Sequence, residues 1–137
     1  MGAVVLDAGV LIGFSNPNDA HHQAVVDEMR RAAAVGHSFC VPASALSEYL
    51  VIPARGGAAT VTQALGIVRR LPADVVPLDE NVATDAALIR AQHPALRLPD
   101  ALVIATARVH AADVLVTTDR RWPTKRALRF AGKIVVL

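Results

Sequence analysis

Residues 3–7 read Ala-Val-Val-Leu-Asp, a short apolar run followed by a carboxylate. Such a run is typical of a buried parallel strand, with the aspartate at the carboxyl end of that strand. Residues 114–119, Val-Leu-Val-Thr-Thr-Asp, repeat the pattern near the end of the chain. We therefore expect Asp7 and Asp119 to leave a parallel sheet at the same edge, which is where ligands bind in sheets of this kind.

Helical segments separate the apolar runs. We predict strands at residues 3–6, 38–41, 75–78, 114–116 and 134–137, and helices at 20–35, 42–52, 58–70, about 80–91 and 100–111, with a further basic helix between the last two strands. This alternation predicts an α/β fold, a doubly wound α/β/α domain with a mostly parallel sheet of about five strands. The helix at 100–111 is apolar nearly all round, so we expect it to be central.

The composition indicates a single domain spanning residues 1–137. The chain is 53% hydrophobic but only 4% aromatic, so its core must consist of aliphatic side chains, as in helices packed on a parallel sheet. It is too short for two ordinary domains. It has no internal repeat or linker composition.

A soluble cytoplasmic protein is expected. The single cysteine, Cys40, lies in an apolar run and has no second cysteine to pair with, so we read it as a small buried hydrophobe. No apolar stretch approaches the ~20 residues that a membrane span needs.

Two further acidic residues stand out from apolar helices. Asp100 follows Pro99 at the start of the predicted central helix, where unpaired amides and the helix dipole favour a negative charge. Glu48 shares a narrow polar strip with Ser44 and Ser47 on an otherwise apolar helix. Each carboxylate also has an ordinary interpretation: Asp100 as a helix cap, Asp119 as a turn residue and Glu48 as part of a solvent-exposed strip.

Taken together, the four carboxylates predict a metal site. If Asp7, Glu48, Asp100 and Asp119 converge, they repel one another unless a cation neutralises them. An oxygen-only ligand set without histidine suits Mg²⁺ or Mn²⁺. Either ion can activate water against a phosphodiester, so the reaction class that follows is phosphodiester hydrolysis.

At this point the residues resemble a known family. Four features together resemble a PIN domain. They are the strand ending in Asp7-Ala8, Glu48 in the helix after the second strand, the run from Pro99 to Ala107 (Pro-Asp-Ala-Leu-Val-Ile-Ala-Thr-Ala) and Val116-Thr117-Thr118-Asp119. The length and the Pro-Asp-Ala-Leu-x-x-Ala-x-Ala helix are similar to those of the VapC toxins of bacterial type II toxin–antitoxin pairs. The likeness covers essentially the whole chain.

The resemblance implies an endoribonuclease that uses Mg²⁺ or Mn²⁺. It implies direct metal ligation by Asp7 and Asp100, with Glu48 and Asp119 completing the coordination directly or through water. Thr117 matches a strand-end threonine that orients ligands or water. The resemblance also implies a homodimer and a cognate antitoxin that silences the enzyme.

Basic residues cluster after Asp119, although the net charge is only +2. Arg120, Arg121, Lys125 and Arg126 are expected to contact the RNA backbone if the substrate is RNA, and otherwise form an ordinary solvated helix face. Trp122 is read as a packing residue, with stacking on a base as the alternative. We place His21 and His22, polar residues in the first turn of a helix, outside the site.

Two other function classes are alternatives to a nuclease. A phosphoacceptor receiver domain is also a small α/β unit with a carboxylate metal site, but Asp7 is followed by Ala8 rather than a second acid, and Lys133 precedes the last predicted strand. A nucleotide-binding or purely protein-binding module is the other alternative. Gly9 and Gly13 do not make the spacing of a phosphate-binding loop. A toxin that has become a catalytically silent scaffold would cleave no RNA.

Overall fold

A five-stranded sheet forms the centre of the computed structural model, which describes residues 2–137. Its strands are β1 (Ala3–Leu6), β2 (Ser38–Pro42), β3 (Ala73–Val76), β4 (Val114–Thr117) and β5 (Lys133–Val136). Their order is β3-β2-β1-β4-β5, and every neighbouring pair is parallel. In the central strand, Val4 lies opposite Phe39 on one side and Val114 on the other.

Six helices cover both faces of this sheet: α1 (Ala8–Ser15), α2 (His22–Ala34), α3 (Ala43–Arg55), α4 (Ala58–Arg69), α5 (Glu80–Gln92) and α6 (Leu98–Val109). Because side chains alternate along a strand, Val4 and Leu6 pack with residues of α1, α2, α3 and α4, whereas Val5 packs mainly with α5 and α6. The predicted α/β class and parallel five-stranded sheet are confirmed.

Helix α6 lies deep in the core, as its composition predicted. Val103, Ile104, Ala105 and Ala107 are fully buried. Thr106 is buried too, and its hydroxyl donates to the Leu102 carbonyl at 2.8 Å, so this polar group is satisfied within the helix. Asp100, in the first turn of α6, is therefore held by a rigid element.

Helix α1 was not predicted. It spans only eight residues, contains Gly9 and Gly13, and is apolar on several sides, so it lacks the amphipathic period that identifies a surface helix. Asp7 begins it: the backbone of Asp7 is extended, and its carboxylate accepts the N–H of Ala8. The strand-end aspartate is thus also a helix cap.

The predicted basic helix between the last two strands is wrong. Within residues 118–132 the structure has turns and bends instead. A single turn closes where the Leu128 N–H meets the Thr124 carbonyl. Arg129 then adopts a φ of 50°, which ends the turn and allows Leu128 and Phe130 to be buried.

Several element boundaries also differ from prediction, including the start of α6, which is Leu98 rather than Asp100. Helix α3 continues through Pro53 to Arg55, although Pro53 has no N–H to donate to the carbonyl of Tyr49. Strand β3 begins at Ala73, two residues earlier than expected. Strand β5 begins at Lys133 itself. Within the described range 2–137, none of the helices combines the length and the apolar character needed to cross a lipid bilayer.

Candidate active site

Asp7 lies at the carboxyl end of the central strand and is buried. Its Oδ1 accepts the backbone N–H of Ala8 at 2.8 Å, and its own N–H donates to the Val116 carbonyl of β4 at 3.0 Å. These contacts fix both its backbone and its carboxylate at the junction of β1, β4 and α1.

Thr117 connects Asp7 to the neighbouring strand end. Its buried hydroxyl donates to Oδ2 of Asp7 at 2.7 Å and accepts the backbone N–H of Asp119 at 3.0 Å. The two hydrogen bonds use the hydroxyl as both donor and acceptor. Thr117 therefore orients the Asp7 carboxylate and shapes the turn that carries Asp119.

Burial raises the pKa of Asp7 from 3.8 to about 6. Desolvation is the largest cause, because a charged carboxylate loses its hydration in the core. The hydrogen bonds from Thr117 and Ala8 oppose this rise, and the negative charges of Asp100 and Glu48 add to it. These like-charge effects indicate that Asp100 and Glu48 share the electrostatic environment of Asp7.

Asp100 is the second buried carboxylate at this edge of the fold. It sits in the first turn of α6, where the unpaired helix amides favour its charge. Arg97 donates from Nε to its Oδ2 at 3.2 Å, while the Arg97 side chain remains 61% exposed. Arg97 has no sequence signal of its own, although its position three residues before Asp100 is a recognisable ion-pair spacing.

Asp119 is held by a neighbouring arginine. The Arg121 guanidinium makes a two-pronged contact with it, Nε to Oδ1 at 3.1 Å and a terminal nitrogen to Oδ2 at 3.0 Å. The backbone N–H of Arg121 donates to the same Oδ1 at 2.9 Å. The side-chain hydrogen bond from Arg121 is the main cause of a lowered pKa at Asp119.

Glu48 lies on the exposed surface of α3. Its negative charge contributes to the raised pKa of Asp7. Its neighbours Ala45 and Tyr49 are buried, so α3 is packed against the core. The four predicted carboxylates therefore differ in environment: Asp7 and Asp100 are buried, Asp119 is largely covered, and Glu48 faces solvent.

The basic residues predicted to bind RNA do not lie together. Arg120 and Arg121 line a shallow groove with Asp119, and His21 also borders that groove. The Lys125 amino group instead contacts the Gly132 carbonyl at 3.3 Å, next to the start of β5 and thus at the opposite edge of the sheet from Asp7. Arg126 is exposed in the turn between these regions.

A cavity of about 560 Å³ adjoins the acidic residues. Asp100, Asp119, Arg97 and Arg121 line one part of it, and Trp122 lines another. Trp122 also packs against the core on the α5 and α6 side of the sheet, as its interpretation as a packing residue requires. The sequence did not indicate that these residues enclose a common space.

The donor chemistry of this region fits a hard divalent cation. Its acidic side chains offer only oxygen ligands, and the two buried ones carry like charges close enough to affect each other. Within residues 2–137, no three side chains of the metal-binding types are grouped tightly enough, as placed here, to hold one ion. Asp100 and Asp119 are instead paired with Arg97 and Arg121, which would compete with a shared ion for their oxygens.

Comparisons with known proteins agree with this architecture. No curated protein matches the chain. Among solved structures, VapBC2 from Rickettsia felis, bound to a DNA fragment from its promoter, superposes with a TM-score of 0.75 at 11% identity over 98% of both chains. VapC20 from Mycobacterium tuberculosis, a toxin that cleaves the sarcin-ricin loop, has a TM-score of 0.68 at 17% identity, covering 86% of this chain and 91% of its own.

A DNA-bound VapBC complex from Salmonella typhimurium is similar as well, with a TM-score of 0.67 at 17% identity over 99% of this chain and 98% of the other. At such identities these likenesses establish the shared fold. The family model described as the PIN domain matches residues 4–128 of this sequence. Because that match spans most of the chain, the protein belongs to the PIN domain family.

Proposed function

We propose that this chain is a metal-dependent endoribonuclease that acts as the toxin of a toxin–antitoxin pair. The observation that carries the proposal is the pair of buried carboxylates, Asp7 and Asp100, at the carboxyl edge of a PIN-domain sheet. Burying two like charges near each other is costly, so such a pair is expected where a cation binds. The similarity to VapC20, named as an RNA-cleaving toxin, supports the choice of RNA.

Asp7 and Asp100 would hold the ion, with Glu48 and Asp119 completing its coordination directly or through water. A bound Mg²⁺ or Mn²⁺ supplies Lewis-acid chemistry, polarising the phosphodiester and making water a stronger nucleophile. Thr117 keeps the Asp7 carboxylate oriented and favours its charged form through the 2.7 Å hydrogen bond. The exposed guanidinium of Arg120, beside Asp119, is placed to attract the RNA backbone.

Purified protein tests the proposal directly. We expect wild type to cleave RNA with Mg²⁺ or Mn²⁺ and to stop when a chelator is added. Asp7→Asn and Asp100→Asn should each lose cleavage. Asp27→Asn, the same change at an exposed site on α2, should keep it. Full activity in either site variant, or cleavage that persists in chelator, would contradict this mechanism.

The partner of the proposed toxin is a cognate antitoxin. Its support is that several similar structures are described as VapBC or toxin–antitoxin complexes. We expect induced wild type to arrest bacterial growth, the Asp7→Asn variant to be harmless, and co-expression of the cognate antitoxin to restore growth. Arrest by Asp7→Asn at equal expression would argue that toxicity is unrelated to the carboxylate site.

We also propose that the protein forms a homodimer. Val51 is exposed on α3 and lines a groove of about 430 Å³ together with Leu46, Leu50 and Val61. An exposed apolar surface of this kind suits a second copy of the chain. Light scattering should give a dimer mass for wild type and a monomer mass for Val51→Glu. A monomeric wild type would rule the dimer out.

The phosphoacceptor alternative is disfavoured by the position of Lys133. This residue begins β5, so it lies at the edge of the parallel sheet opposite Asp7 and cannot assist chemistry there. Incubation with a small phosphodonor, followed by intact-mass measurement, should leave the protein mass unchanged.

A further inference from the structure

The cavity beside Asp100 and Asp119 has two different kinds of wall. Pro94, Leu96, Trp122 and Pro123 provide apolar surfaces, and Arg97 and Arg121 stand with the two aspartates on the charged side. Its volume, about 560 Å³, lies in the range of small-molecule sites. The function proposed above uses the two aspartates and leaves the apolar part without a role.

Trp122 is the only tryptophan of the chain and is held in place. Part of its ring packs on the core, and the rest lines the cavity. Within the part of the chain that the structure describes, its indole N–H is buried and has no hydrogen-bond partner. Since that N–H is not accessible, the ring rather than the N–H is the contact surface that it offers a ligand.

The two arginines keep free donors for an anion. Arg97 uses its Nε on Asp100, and Arg121 uses Nε and one terminal nitrogen on Asp119. A guanidinium has five N–H groups, so each retains donors for phosphate oxygens. Both side chains are largely exposed, at 61% and 81%, and can reach a ligand from solution.

A ligand that matches all of these features has a flat apolar ring with phosphates on either side. We propose that the cavity is a nucleobase subsite, which takes one unstacked base of single-stranded RNA. Trp122 forms its stacking wall, and Arg97 and Arg121 contact the flanking phosphates. The placement rests on the proposed function, because the scissile phosphodiester would lie at the adjoining carboxylates.

The unique tryptophan makes the subsite directly observable. In the Asp7→Asn protein, which should not cleave its ligand, Trp122 fluorescence is titrated with short oligoribonucleotides. An abasic oligomer of the same length and charge is the matched ligand control. We expect base-containing oligomers to quench the fluorescence and to bind roughly ten- to a hundredfold more tightly than the abasic one. Equal affinities without quenching, or no binding of any oligomer, overturn the proposal.

Substitutions at Trp122 provide a second, independent measurement. With a labelled oligomer and fluorescence anisotropy, Trp122→Leu should lose about tenfold in affinity for base-containing RNA and nothing for abasic RNA, whereas Trp122→Phe should keep most of the affinity. Equal losses for both ligands mean a general distortion and count against the subsite. If Trp122→Leu does not fold, as judged by circular dichroism, the Trp122→Phe and quenching results still decide.

Cleavage is scored separately, so the two proposals can fail independently. RNA cleavage by wild type without base-dependent quenching leaves the nuclease and removes the subsite. Base-dependent quenching without cleavage supports the subsite and contradicts the nuclease. Quenching by the co-expressed partner protein, and by no oligomer, would identify a protein-binding cavity and overturn the nucleobase assignment.

Discussion

The hydroxyl of Thr117 donates to Oδ2 of Asp7 across 2.7 Å, joining the ends of two adjacent strands. The same hydroxyl accepts the Asp119 N–H, which leaves its proton directed at the Asp7 carboxylate. This contact stabilises the charged form of Asp7 and so opposes the desolvation that raises its pKa to about 6.

Replacing Thr117 with Val should therefore raise the pKa of Asp7 further. If Asp7 binds the metal as proposed, its ionised form is needed, and the acid limb of the pH–rate profile for RNA cleavage should move to higher pH. Thr117→Ser keeps the hydroxyl and should retain the wild-type profile. An unchanged profile in Thr117→Val would show that this hydrogen bond does not control the carboxylate.

The raised pKa of Asp7 predicts that the contribution of this residue to the stability of the folded protein decreases as the pH rises from 3.8 towards 6. Over this range the folded state keeps the proton that the unfolded state has released, and each pH unit costs about 1.4 kcal/mol. The loss levels off as the pH rises past 6, because Asp7 then becomes charged in both states. Asp7→Asn should remove this dependence. At pH 7.5 its free energy of unfolding should exceed that of wild type by about 1–2 kcal/mol, because the removal of the buried charge outweighs the loss of one hydrogen bond of the carboxylate.

Urea unfolding of wild type, Asp7→Asn and the exposed control Asp27→Asn at pH 4 and pH 7.5 measures this effect. An equal change in the free energy of unfolding of wild type and Asp7→Asn between the two pH values would contradict the prediction.

Divalent metal should stabilise the fold through the acidic site. A ligand that binds only the folded state at 100 times its Kd adds about 2.7 kcal/mol to the free energy of unfolding. We expect Mg²⁺ or Mn²⁺ to raise the Tm of wild type, with little effect on the Asp7→Asn/Asp100→Asn double variant. An equal rise in both proteins would place metal binding elsewhere.

Arg121 should compete with metal for Asp119. Removing its guanidinium in Arg121→Gln abolishes the two-pronged contact and raises the pKa of Asp119 from its lowered value towards the ordinary one. The freed carboxylate should bind Mn²⁺ more tightly in calorimetry. Arg120→Gln is the matched control, because Arg120 is exposed beside the same groove. Equal effects of the two substitutions would mean that only net charge matters.

The basic residues should contribute differently to RNA binding, according to where they lie relative to the carboxylates. Arg120 borders Asp119, whereas Lys125 lies at the other edge of the sheet. In the Asp7→Asn background, Arg120→Gln should weaken RNA binding and reduce the slope of log affinity against log salt concentration by about one. Lys125→Gln should have a smaller effect on both quantities. A larger loss in Lys125→Gln would indicate that the RNA path crosses the opposite edge.

The sequence by itself determined the layers of the fold and the acidic residues at its edge. Apolar runs such as residues 3–6 have few alternatives to a buried strand, and the capping and proline signals around Asp100 act locally. Local patterns did not predict α1, because it is too short and too apolar to show a helical period. They also predicted a helix after Asp119 that does not form, because Arg129 ends the turn early.

Only the tertiary structure decided which side chains meet. Thr117 and Asp7 are 110 positions apart, and parallel pairing of β1 with β4 brings them into hydrogen-bonding contact. The cavity between residues 92–97 and Trp122, and the separation of Lys125 from Arg120, have the same origin. Such contacts depend on how the strands and helices pack in three dimensions, and no local pattern of residues encodes that arrangement.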